Sequence, residues 1–119
     1  GGSKNARIAE VVDFIVKEFS ETLSVSDAAK MAGMTEITFS RNFQTVTGHS
    51  FVEFLNRIRI GEACGMLYAS DDQIITISQS AGFKNLANFN RHFLKVKGMT
   101  PSEYRETARK DLAPQLENS

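Results

Sequence analysis

Apolar residues recur along most of this chain at helical spacing, and no alternating strand pattern runs for a useful length. Ile8, Val11, Val12, Ile15, Val16 and Phe19 lay one apolar stripe along a first helix. A shorter helix is predicted from about Val25 to Ala32, with Ser24 as N-cap, Asp27 three residues later and Gly33 supplying a left-handed exit. A third runs from about Glu36 to Thr47, with Phe39, Phe43 and Val46 facing inward and Gly48 closing it. Ser50 and Glu53 have the spacing of a capping box for a long helix to about Tyr68, whose core candidates are Phe51, Phe54, Leu55, Ile58, Met66 and Leu67. Gly61 and Gly65 sit inside it at about 1 kcal/mol each relative to alanine, which counts against its continuity or signals close packing.

Asp71 and Asp72 precede the next start, where Ile74-Ile75-Thr76-Ile77 reads as the opening of a helix and not as a strand. Gly82 then turns the chain, Phe89, Phe93 and Val96 face inward, and Gly98 ends that helix. Thr100-Pro101-Ser102-Glu103 gives N-cap, proline at the first helical position and capping-box acid, opening a last helix to about Lys110. Disorder is expected after Pro114, with 111–119 a flexible tail. The expected fold is all-α, about seven helices.

Part of this pattern is written twice. AGMTEITFSRNFQTVTGHSFVEF at Ala32 to Phe54 returns as AGFKNLANFNRHFLKVKGMTPSEY at Ala81 to Tyr104. The offset is 49 up to Gly33 and Gly82 and 50 from Phe39 and Phe89 onward, so copy two carries one extra residue near its turn. Arg41 then pairs with Arg91, Phe43 with Phe93, Gly48 with Gly98 and Glu53 with Glu103. Such repetition means two copies of one supersecondary unit: a first at about 8–48, a connecting helix at about 50–69 and a second at about 72–110.

Composition narrows the class. At 119 residues and 41% hydrophobic, the chain suits one domain or two very small ones, and it has no apolar run of membrane length. Residues 1–4, opening Gly1-Gly2-Ser3, read as an expression remnant or linker and not as a signal peptide, with the natural chain expected to extend upstream. A single cysteine, Cys64, excludes an internal disulfide and fits a reducing compartment, so the cytoplasm is expected. The formal net charge is zero, but residues 84 to 110 hold seven basic side chains against two acidic ones, a local surplus of five. A positive face can therefore exist on a neutral protein.

Each copy pairs a short helix with a longer one across a glycine turn, the layout of a helix-turn-helix whose second member enters the major groove. With Phe39, Phe43 and Val46 buried, the opposite face of the third helix carries Ile37, Thr38, Ser40, Arg41, Gln44 and Thr45. In copy two that face carries Ala87, Asn88, Asn90, Arg91, Leu94 and Lys95, with Lys84 and Asn85 near the turn. Asparagine can pair with adenine and arginine with guanine in bidentate fashion. A connecting helix of about 20 residues at ~1.5 Å each spans roughly 30 Å, close to one DNA turn, so one chain can reach successive major grooves. Ile37, Ala87 and Leu94 are open between packing on neighbours and touching thymine methyls. The phenylalanines at i, i+4 spacing read as core and not as stacking platforms, and Cys64 as a buried small hydrophobe. His49 and His92 have no ligand partners at metal spacing, and neither a metal nor another cofactor is expected. The alternative to DNA binding is a helical protein-interaction module; an enzyme is not expected, because no nucleophile–base pair is visible.

These residues resemble the DNA-binding domain of AraC/XylS-type bacterial transcription regulators, two helix-turn-helix units joined by a long helix. The resemblance covers about Ile8 to Lys110 and is carried by GF, FNRHF and GMTPSEYR in copy two, and by GM, FSRNF and TGHSFVEFLNRIR in copy one. It implies promoter double-stranded DNA as partner, usually with activation of transcription, RNA polymerase as a further partner of the full-length protein, and an effector-sensing or oligomerising domain elsewhere. The isolated domain is expected to be monomeric and to have no membrane partner. By position, the base-reading residues implied are Ile37, Thr38, Ser40 and Arg41, then Ala87, Asn88, Asn90 and Arg91. Phosphate contacts would come from Lys84, Asn85, Lys95, Lys97 and the helix N-termini. Where the family often has a lysine pair after FSRNF and FNRHF, this chain has Gln44-Thr45 and Leu94-Lys95. The lost charge implies weak binding by the isolated domain, with the first unit depending on the second.

Overall fold

A computed structural model describes residues 3–117, with side chains described to residue 111, and every regular element among them is a helix. Ser3 caps the first, α1 (Lys4–Lys17), by accepting from the Ala6 N–H at 3.2 Å, so the helix starts a turn ahead of its apolar stripe. There follow α2 (Val25–Met31), α3 (Glu36–Thr47), α4 (Phe51–Ala69), α5 (Ile74–Ser80), α6 (Leu86–Lys97) and α7 (Pro101–Glu117).

The chain divides into two compact units, 1–58 and 59–119, with the boundary inside α4. The cause is visible in the side chains. Phe51 and Leu55 close the first core, over Ile8, Val11 and Ile15 of α1, the alanines of α2, and Phe39 and Phe43 of α3. Ile60, Ala63, Cys64 and Leu67 belong to a second core with Ile77, Ala81, Phe83, Phe89 and Phe93. The first centres on Phe39, Phe43, Phe51 and Phe54, with ring centroids 5.4 to 5.8 Å apart, and the second carries Phe93 against Tyr104 at 5.6 Å. Rings at these separations take tilted or edge-to-face packing, which fixes their orientation as well as burying area.

Capping explains most helix boundaries. Ser24 and Asp27 form the complete box at α2, and Thr100 and Glu103 the complete box at α7. At α4 only the forward half has the expected form: the Glu53 N–H donates to Ser50 Oγ at 3.2 Å, while the Glu53 carboxylate meets His49 Nδ1 at 3.2 Å and Arg57 Nε at 3.3 Å. The Arg57 guanidinium first, aided by His49, holds that carboxyl below its usual range.

Several expectations are corrected. Val16 and Val46 are nearly half exposed, because the first core is already filled by the residues one turn away on each helix. Gly61 and Gly65 neither break α4 nor mark close packing: the helix is continuous, and a Cβ at either position would meet nothing within 4 Å. At α5, which Asp71 and Asp72 precede as expected, the N-cap is Gln73 with no side-chain bond. The last helix runs past Lys110 and through Pro114 to Glu117. Proline there removes one backbone donor, but Leu112, Ala113, Gln115 and Leu116 around it are good helix formers and sustain the turns. Of the expected flexible tail, 118–119 lie outside the described residues.

Candidate nucleic-acid interface

Each unit holds its second helix on the same backbone frame. In the first, the Gly33 N–H donates to the Lys30 carbonyl at 3.0 Å and the Met34 N–H to Ala29 at 2.9 Å. In the second, Gly82 donates to Gln79 and Phe83 to Ser78, both at 3.0 Å. This is the Schellman pairing, and it needs the left-handed φ of +66° at Gly33 and +100° at Gly82. The next helix is then capped from its own turn: Thr35 Oγ1 accepts from the Thr38 N–H at 3.2 Å, and Asn85 Oδ1 from the Asn88 N–H at 2.7 Å. One residue separates Gly33 from its cap and two separate Gly82 from its cap, which accommodates Lys84 and accounts for the change of offset.

The frame turns α3 and α6 so that Phe39 and Phe43, and Phe89 and Phe93, are fully buried. Helical spacing then puts Ile37, Thr38 and Arg41 on one outward face, and Ala87, Asn88, Arg91 and Lys95 on the other. Ser40 and Asn90 lie on the flanks of these faces. Asn90 lines a groove shared by Ile74, Leu86, Leu94 and the Thr100–Ser102 start of α7. Ile37 is 75% exposed and Leu94 52%, so neither is taken up by packing on a neighbouring helix.

The two arginines differ. Arg91 Nη2 donates to Asn88 Oδ1 at 3.0 Å, one turn back along α6. Arg41 has no such partner among the described residues, since Thr38 stands where copy two has Asn88. Among the described residues, Arg41, Arg91, Lys84 and Lys95 meet no carboxylate at ion-pair distance. Their charge is available to an external anion.

Other members of the basic stretch are engaged within the fold. Arg105 donates to the carbonyls of Leu67 at 2.9 Å and Asp72 at 2.8 Å, and Arg109 to those of Tyr68 at 3.3 Å and Ser70 at 2.7 Å. Arg109 also pairs with Asp71 at 3.0 Å. The carbonyls at the end of α4, which have no helical partners of their own, are thus satisfied by guanidinium groups. Lys97, placed by sequence among the phosphate contacts, has its ammonium 5.9 Å from the centre of the Tyr104 ring, on the α7 side of α6. Asn85, placed there too, uses its oxygen as the cap and would meet a phosphate through its amide donors. The paired arginines were detectable as an i, i+4 repeat at Arg105 and Arg109, and the Thr35 cap as a threonine three residues before Thr38; both signals were missed.

A family profile described as a helix-turn-helix domain matches residues 28–107. The chain belongs to the AraC-type helix-turn-helix family. An uncharacterized HTH-type transcriptional regulator of Staphylococcus aureus is 34% identical over 99 residues, 83% of this chain and 13% of the relative. RclR of Escherichia coli, an RCS-specific HTH-type transcriptional activator, is 28% identical over 108 residues, 91% of this chain and 38% of RclR. The chain thus spans a minor part of the length of these relatives. Among solved structures, the DNA-binding domain of AdpA in complex with a target DNA aligns at a TM-score of 0.85 and 29% identity, covering 92% of this chain and 97% of that one.

In this AraC-type domain Cys64 is buried, and burial pushes its thiol pKa up, as suits a packed small hydrophobe. Among the described residues no group of histidine, cysteine or acidic side chains is placed to hold a metal, and no helix is long and apolar enough to cross a membrane.

Proposed function

We propose that this AraC-type domain binds double-stranded DNA sequence-specifically by placing α3 and α6 in major grooves, as the DNA-reading part of a longer regulator that activates transcription. The observation that carries this is the pair of outward arginine-bearing helix faces, each presented by the same glycine turn and side-chain cap and left without carboxylate partners among the described residues. The AdpA likeness supports DNA as partner, and the RclR likeness supports activation, for which RNA polymerase is the proposed further partner. Base reading is assigned to Ile37, Thr38, Arg41, Ala87, Asn88 and Arg91, with Ser40 and Asn90 at the edges. Phosphate contact is assigned to Lys84, Lys95 and the amide of Asn85, with Lys97 at the margin.

Fluorescence anisotropy on duplexes selected from a random pool, and on scrambled controls, tests the assignment. Arg91→Ala is expected to weaken binding to the selected duplex by about 1–3 kcal/mol and to leave the scrambled one much less affected. Equal loss on both would make Arg91 a phosphate contact.

A further inference from the structure

We infer that Arg7, on α1, is a DNA phosphate contact of the first unit, a cation brought from outside the helix-turn-helix to the strand beside α3. The inference rests on the DNA-binding reading above and extends its contact surface to a helix that the reading does not use.

The turn of copy one carries no charge of its own. Between Gly82 and the Asn85 cap, copy two has Phe83 and the inserted Lys84, whereas between Gly33 and the Thr35 cap copy one has only Met34, which packs against the first core. Gln44 and Thr45 add no charge further along α3. The fold supplies a cation at this turn by another route. A Cβ built on Gly33 would stand 3.7 Å from Arg7 Nη1, so the guanidinium lies against the turn. Its neighbour Ile8 is fully buried in the first core, which fixes the side of α1 from which Arg7 projects.

Within the fold this guanidinium is not neutralised. Arg7 is only partly buried, and among the described residues it meets no carboxylate at ion-pair distance, neither Glu10 one turn on along α1 nor Glu36 at the start of α3. Its side chain makes no hydrogen bond among them either, unlike Arg105 and Arg109, whose donors are taken by carbonyls. A guanidinium has five donors and no acceptor, so its complement is an anion, and phosphate accepts from it in bidentate fashion.

The position suits a phosphate and not a base. Thr35 lies two residues from Gly33, at most about 7 Å away, which keeps Arg7 Nη1 within about 12 Å of the start of α3, the width of a major groove. A recognition helix places its N-terminal residues on base edges, so its start is flanked by the phosphate strands that wall the groove. A cation standing off that start, on another helix, meets the wall.

Anisotropy titrations of selected and scrambled duplexes across a range of salt test the inference, with thermal melting of each variant. Arg7→Gln removes the charge and keeps part of the stem against the turn; Arg7→Lys keeps the charge. Arg7→Gln is expected to bind both duplexes about eightfold more weakly at about 0.1 M salt, with the deficit fading towards about 1 M and the slope of log K against log salt reduced by about 1. Arg7→Lys should keep the wild-type slope, and Lys17→Gln, at the far end of α1, should change neither slope nor affinity. A neutral methylphosphonate scanned along the strands beside the bases that Arg41→Ala relaxes should weaken the wild-type chain at a position where it leaves Arg7→Gln unaffected. An unchanged slope in Arg7→Gln would overturn the inference, with a lowered melting temperature then marking a side chain that only supports the turn; so would a loss confined to the selected duplex. DNA binding by the wild-type chain would stand in either case. If the wild-type chain binds no duplex, the DNA-binding reading itself fails, and the inference with it.

Discussion

The imidazole of His92 lies against Phe83, ring centroids 6.0 Å apart, next in sequence to Arg91 and three residues from Lys95. Burial first, then these two positive charges, lower its pKa from 6.5, so the folded chain takes up a proton there less readily than the unfolded chain. The unfolded state binds more protons between the two values, and stability must fall as pH drops through and below 6.5. Urea unfolding at neutral and mildly acidic pH should show this decline, and His92→Gln should flatten it. An unchanged slope in that variant would place the titration elsewhere. At this scale the sequence was legible where a residue's role follows from its type and spacing, as with Phe39, Phe43, Phe89 and Phe93 in the cores. It was not legible where the role depends on which neighbour a side chain turns to. Asn88 bonds Arg91, and Glu53 turns to His49 and Arg57, through choices of rotamer that spacing does not determine.

Helix boundaries depend on local chemistry and were readable from it. Ser24 with Asp27, Thr100 with Glu103, and the glycines after α3 and α6 mark ends that the structure keeps. The long α4 was readable from the Ser50 and Glu53 spacing and its apolar positions, and the intrinsic cost of Gly61 and Gly65 within it is outweighed by Ile60, Ala63, Cys64 and Leu67 packing in the second core. Both glycines face open space, so Gly61→Ala and Gly65→Ala should each stabilise the domain by about 0.5–1 kcal/mol, mainly by restricting the unfolded chain. Chemical denaturation of the single variants measures this, and destabilisation by either would mean that α4 needs the freedom glycine gives. The far end of the same helix is held from outside, by Arg105 and Arg109 of α7 on its terminal carbonyls. That arrangement links residues more than 30 positions apart, beyond the reach of any local pattern.

Across the whole molecule, zero net charge conceals a division of labour among the basic residues. Arg105 and Arg109 support the fold, while Arg41, Arg91, Lys84 and Lys95 are left without carboxylate partners among the described residues. Salt dependence separates the two groups. Lys95→Ala should reduce the slope of log K against log salt by about 1 and weaken selected and scrambled duplexes alike. Arg109→Ala should lower the melting temperature, since a carbonyl cluster and Asp71 lose their partner, and leave that slope unchanged. A reduced slope for Arg109→Ala would add it to the DNA-contacting set.

The two glycine turns have the same pair of backbone hydrogen bonds, and around the shared Arg41 and Arg91 the helices they launch expose different side chains at equivalent positions. The scaffold is therefore indifferent to the message it carries. Thr38, Arg41, Gln44 and Thr45 could be exchanged for their counterparts Asn88, Arg91, Leu94 and Lys95 with both cores untouched. A protein written in this way can be recoded one reading helix at a time.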